Sequence, residues 1–198
     1  MPTLAETLVS LGRLTLEDPR RGIRAVLDLG VPIPARTAAL VLVAVASAIF
    51  MHLGTLMLPP STDPIAGFLT DSPIRSAILQ WVILLASVVL IYRVGRARGG
   101  TGNFPDAMLI VVWLQVIMLA VQAVQLLALV LIPPLAGIIN ILGLVLFFWL
   151  MTNFIAELHR FTSRGAVFIG IVLTAFAVAF ALVLVAALLL GPEALSDV

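Results

Sequence analysis

Five long apolar stretches, each close to the length of a bilayer-spanning helix, constrain this chain more than any other feature. They cover residues 37–58, 74–92, 108–132, 135–154 and 166–190. An α-helix rises about 1.5 Å per residue, so roughly 20 apolar residues cross the ~30 Å hydrocarbon core of a bilayer. Inside hydrocarbon the backbone must satisfy its own hydrogen bonds, which leaves helices as the economical solution for isolated segments of this length. Hydrophobic residues make up 62% of the chain, well above the roughly 45–50% of a soluble domain, so lipid is the expected solvent of most of its surface. The expected fold class is all-α: a polytopic membrane protein of five transmembrane helices, residues 37–191, with a short outer tail at 192–198.

The third and fourth stretches are separated only by Pro133 and Pro134. One continuous helix over 108–154 would be about 70 Å long, more than twice the core, so the chain must reverse there. Two prolines remove two backbone donors and push Ile132 out of the α region, which suits a tight helical hairpin. Gly191-Pro192 is a helix stop after the fifth stretch.

Residues 1–36 form an expected amphipathic collar. Thr3 and Glu6 have capping-box spacing, and Leu4, Leu8 and Leu11 follow at i, i+4, i+7. Asp18 with Pro19 starts a second helix that carries Ile23, Val26 and Leu27 on one face and ends near Gly30. Beside a membrane, such helices lie in the interface with their arginines toward anionic headgroups.

The arginines set direction. Successive polar segments hold five, one, three, none, two and no Arg, and the chain has no lysine. Short Arg-rich segments stay cytoplasmic during insertion, which predicts an N-terminus inside and a C-terminus outside. The cytoplasmic face then comprises the collar, the loop 93–106 and the segment 157–164. Arg20, Arg21, Arg24, Arg93, Arg96, Arg98, Arg160 and Arg164 are its candidate contacts for lipid headgroups or a cytoplasmic protein partner.

Chemistry is sparse. Cysteine is absent, which excludes disulfides and thiolate catalysis. His52 and His159 fall toward opposite faces of the membrane, so no metal or haem site is expected, and each is read as a lone polar contact. Protease and hydrolase signatures are missing, there is no acid–base pair within a span, and no cofactor and no nucleic acid are expected. Gln115, Gln122 and Gln125 share one face of the third span. Counting from the two-proline turn puts Gln125 level with Asn140, and a hydrogen bond between them is expected. These amides serve as interhelical glue or, in the alternative reading, line a polar path for a small transporter or permease subunit. Ala44 and Ala48, and Ala166, Gly170 and Thr174, have helix-packing spacing, either within one copy or between copies of a homo-oligomer.

Before the third span stands Gly99-Gly100-Thr101-Gly102-Asn103-Phe104-Pro105. No lysine follows the glycines, so a nucleotide site is not expected, and Gly99, Gly100 and Gly102 are read as a loop hinge. With five spans, the Asp18-Pro19 collar and the tight hairpin, this Gly-Gly-x-Gly-x-Phe entrance resembles the bacterial branch of the Yip family of membrane proteins. Eukaryotic members of that family bind Rab-type GTPases through a cytosolic N-terminal region and act in trafficking. The resemblance therefore implies a non-enzymatic protein that organises membrane or recruits partners. The Asp-Leu-Tyr-Gly-Pro type motif of those members is absent, and no GTPase-binding residue is carried over.

Overall fold

The computed structural model describes residues 3–57 and 72–190. Residues 58–71, the Gly191-Pro192 stop and the acidic tail lie outside the described residues. Those residues form seven α-helices and no strand: α1 Leu4–Glu17, α2 Pro19–Asp28, α3 Ile33–Thr55, α4 Pro73–Ala97, α5 Phe104–Leu131, α6 Pro133–His159 and α7 Arg164–Leu190. Helices α3 to α7 are long and apolar enough to cross a membrane, and the chain divides into two units, Met1–Phe161 and Thr162–Val198.

Local sequence chemistry accounts for the helix ends. The capping box at α1 forms, with the Glu6 amide donating to Thr3 Oγ1 at 3.2 Å and the Thr3 amide donating to Glu6 Oε2 at 2.7 Å. The backbone amide and hydroxyl of Thr3 hold the Glu6 carboxyl below its usual range. Asp18 caps α2, accepting from the amides of Arg20 and Arg21 at 3.1 Å each, with Pro19 at the first helical position. Gly30 takes a positive φ of 63° just past the end of α2. Asn103 caps α5. Ile132 alone joins α5 to α6, at φ −145° and ψ 78°. A residue before proline is driven out of the α region, so the helix breaks there and the chain doubles back.

In the first unit, α5 is the central helix and packs against α2, α3, α4 and α6. Along α3 the buried residues Leu40, Val43, Ala44, Ser47 and Ala48 make one stripe, while Val41, Leu42, Val45 and Ile49 are exposed. A water-soluble bundle would carry polar residues at the exposed positions; here they are apolar, as a lipid-facing surface requires. Ala44 and Ala48 pack inside the unit.

Helices α5 and α6, like α4 and α7, are longer than the bilayer requires. Helix α5 has 28 residues and α6 has 27, about 40 Å each against a ~30 Å core. Every residue of α5 from Ala107 to Gln115 is buried. A helix with one side facing lipid cannot bury nine residues in succession, so protein surrounds this part. The last turns of α6 are enclosed in the same way at Thr152–Ala156, Leu158 and His159. The surplus length of both helices gathers at one end, where α1 and α2 close over them as a folded cap.

The second unit is α7. Ser163 precedes it and accepts from the Ala166 amide at 3.2 Å, and Thr174 Oγ1 donates back to the Gly170 carbonyl at 2.7 Å.

Candidate functional site

The cap is held to the bundle by a charge clasp. Arg20 Nε lies 3.0 Å from Glu157 Oε2, and Arg20 Nη2 donates to the Phe161 carbonyl at 3.2 Å. Arg24 Nε donates to Glu157 Oε1 at 2.9 Å, and its Nη2 meets the same oxygen. The hydrogen bond to Glu157, and then its charge, raise the Arg24 guanidinium above its ordinary pKa. Beneath the clasp, Ile23 and Val26 of α2 are wholly buried with Phe154 of α6. Arg20 is half-buried and committed to Glu157 and the Phe161 carbonyl, whereas Arg24 pairs with Glu157 while its side chain stays exposed. Glu157 belongs to this clasp and is not a solvated charge.

A second ion pair ties α3 to α5. Arg36 Nη1 donates to Asp106 Oδ1 at 2.8 Å, and Arg36 Nε donates to the Val31 carbonyl at 2.7 Å. Asp106 in turn takes Asn103 Nδ2 at 2.8 Å and gives its own amide to Asn103 Oδ1 at 2.8 Å. An acidic residue in the first turn of a helix also meets the positive end of its dipole.

The glycine-rich loop turns out to be a socket for His159. The imidazole is 2% exposed and stacks on Phe161 with ring centroids 5.4 Å apart. Its Nδ1 accepts the Gly102 amide at 3.3 Å, so the proton sits on Nε2, which donates to the Ile91 carbonyl at 3.1 Å. A Cβ on Gly95 would come within 2.1 Å of the ring and one on Gly100 within 2.3 Å, while one on Gly102 would meet Leu158 at 2.6 Å. Arg160, at φ 57°, ends α6 in the left-handed region, and the Phe161 amide returns to the Ala156 carbonyl at 2.8 Å. Gly100 and Gly102 are therefore wedges that let backbone touch a buried ring, and the hinge expected for them is not what they form. Gly99, at φ 85°, makes the turn with open space around it. Phe104 completes the loop edge-on to Tyr92, with centroids 5.9 Å apart. His159 is the opposite of a lone polar contact.

Arg21, Arg24, Arg93, Arg98 and Arg160 are exposed. Arg96 is exposed too and reaches the Gly100 carbonyl at 3.4 Å. Arg164 opens α7, in the second unit.

The span amides separate into different roles. Gln115 is buried and its Nε2 donates to Ser47 Oγ at 2.6 Å, which joins α5 to α3. Gln122 is half-buried and its Oε1 has no partner, and Gln125 is half-buried. Asn140 is exposed, and no hydrogen bond joins it to Gln125 among the described residues. Depth along the hairpin matches, but rotation about the α6 axis does not. The seam toward α5 runs through Ala136 and Gly143, where a Cβ on Gly143 would lie 3.1 Å from Val121 Cγ1. A groove of about 440 Å³ between α3 and α4, lined by Ala44, Ala48, Ile74, Ala77 and Trp81 among others, is almost purely apolar. It suits hydrocarbon and offers nothing to orient a polar substrate.

Two buried contacts had no sequence signal of their own. Trp113 Nε1 donates to Thr15 Oγ1 at 3.0 Å, fastening α1 to α5, and a Cβ on Gly22 would fall 2.4 Å from that same hydroxyl oxygen. Neither is predictable without knowing which helices meet. The Asn103 cap, in contrast, was readable from Asn and Asp three residues apart before an apolar run.

Five apolar spans and a capped polar end define a multi-pass α-helical integral membrane protein. The chain belongs to the Yip1 domain family, whose model matches residues 14–186. No curated protein and no solved structure matches it.

Proposed function

We propose that this protein is a non-enzymatic component of the bacterial inner membrane, N-terminus inside, that organises the bilayer or recruits a cytoplasmic partner through its arginine-bearing end. One observation carries the reading: Arg20 and Arg36 are drawn into ion pairs with Glu157 and Asp106, whereas Arg21, Arg93, Arg98 and Arg160 stay exposed, as does Arg24 beside Glu157. Clustered guanidinium groups near a membrane surface favour anionic headgroups and acidic protein surfaces. The permease alternative loses its main support, because Gln115 is sealed against Ser47 and does not open to a path shared with Gln122 and Gln125.

The test is a quadruple variant with Arg21, Arg93, Arg98 and Arg160 changed to Gln, extracted in mild detergent beside the wild type. Loss of co-purified anionic lipid, or of a specific adduct cross-linked at these positions, supports the proposal. Unchanged lipid retention together with an unchanged adduct profile would sink it.

A further inference from the structure

The two N-terminal helices differ in one respect that decides where each belongs. Helix α2 spends its apolar side on the protein, with Ile23 0% and Val26 2% exposed. Helix α1 does not. Leu11 and Thr15 pack inward, yet Leu8 is 42% exposed, Leu16 51%, Val9 73% and Leu4 77%. At 100° per residue, Ala5, Leu8, Val9, Gly12 and Leu16 fall on one arc of α1, while Glu6, Ser10, Arg13 and Glu17 fall on another. The polar arc is solvated in character, with Arg13 and Glu17 pairing at 2.9 Å while both stay exposed.

The level of α1 along the bundle follows from its anchor. Thr15 is bonded to Trp113, and Trp113 stands eighteen residues before the end of α5 at Leu131, about 27 Å at the helical rise and so close to one hydrocarbon thickness. Trp113, itself buried, therefore stands one hydrocarbon thickness from the far end of α5, toward the arginine-bearing end. Thr15 shares that level, whereas the Arg36–Asp106 pair at the start of α5 stands outside it.

We propose that α1 is an in-plane anchor whose Leu8, Val9 and Leu16 strip enters the leaflet at the arginine-bearing end, while α2 is a strap whose apolar side packs on protein. The occupant of the exposed strip is the acyl and headgroup boundary of the bilayer, because the Thr15–Trp113 bond sets the strip at that depth and its charged arc faces away. The inference holds whether or not a partner binds the arginines.

The absence of cysteine makes the test clean. Single cysteines at Leu8, Leu16, Ser10, Arg13 and, as an α2 control, Asp28 are labelled with an environment-sensitive fluorophore in the full chain reconstituted into phosphatidylglycerol-containing vesicles. Quenching is then compared between a doxyl-labelled lipid and a water-soluble ion such as iodide. The expected result is lipid-side quenching at 8 and 16 exceeding that at 10, 13 and 28 at least severalfold, with iodide giving the reverse order. Iodide reaching all five positions equally would overturn the proposal. So would shielding of 8 and 16 from both quenchers, which would put a second copy or another protein over the strip, and so would lipid-side quenching at all five.

Discussion

Three glycines surround one histidine, and the sign of a substitution there depends on that histidine. Gly95 lies inside helix α4, where alanine ordinarily gains about 0.5–1 kcal/mol. Here its Cβ would meet the His159 ring at 2.1 Å, and overpacking of that kind costs about 1–3 kcal/mol, so Gly95→Ala is expected to destabilise the protein. His159→Ala should cost about 2–4 kcal/mol by opening a cavity and leaving the Gly102 amide unpaired. The double variant should recover part of the Gly95→Ala loss, because the ring it strikes is gone. Thermal unfolding of all four proteins in one detergent gives the coupling, and strictly additive losses would refute the socket. The glycine-rich loop was conspicuous in the sequence. Its reason was not, because His159 stands 57 residues beyond Gly102 in the chain.

At the scale of elements, the clasp between α2 and α6 converts a mobile amphipathic segment into part of the fold. Glu157 serves two arginines, and its side chain is 13% exposed. Glu157→Gln keeps the shape and removes the charge, which should weaken the docking of α2 by about 1–3 kcal/mol. Amide exchange should then accelerate across residues 19–28 while the middle of α5 stays protected; unchanged exchange in α2 would mean that apolar packing alone holds it. Both N-caps and the two-proline hairpin were legible in sequence because each depends on neighbours within a few positions. The Gln125–Asn140 bond failed for a related reason: counting residues fixes depth along a helix and leaves its rotation free.

For the whole molecule, the arginine distribution and the folded cap coincide at one end, where surplus helix length is covered by α1 and α2. If that end is cytoplasmic, a cysteine replacing Arg98 should react with a membrane-impermeant maleimide only after cells are permeabilised, and one replacing Ser61 should react in intact cells. Reversed labelling would invert the topology and move the proposed recognition surface outside. By itself the sequence determined the five spans, their breaks, the amphipathic start and the inventory of missing chemistry, because hydropathy, helical period, proline and capping all act over a few residues. Only the tertiary structure decided which arginines are paired, why the loop needs glycine, and which apolar face of the collar is left exposed. Those outcomes depend on pairings between residues up to 141 positions apart, and side-chain charge and shape declare no partner until the helices are packed.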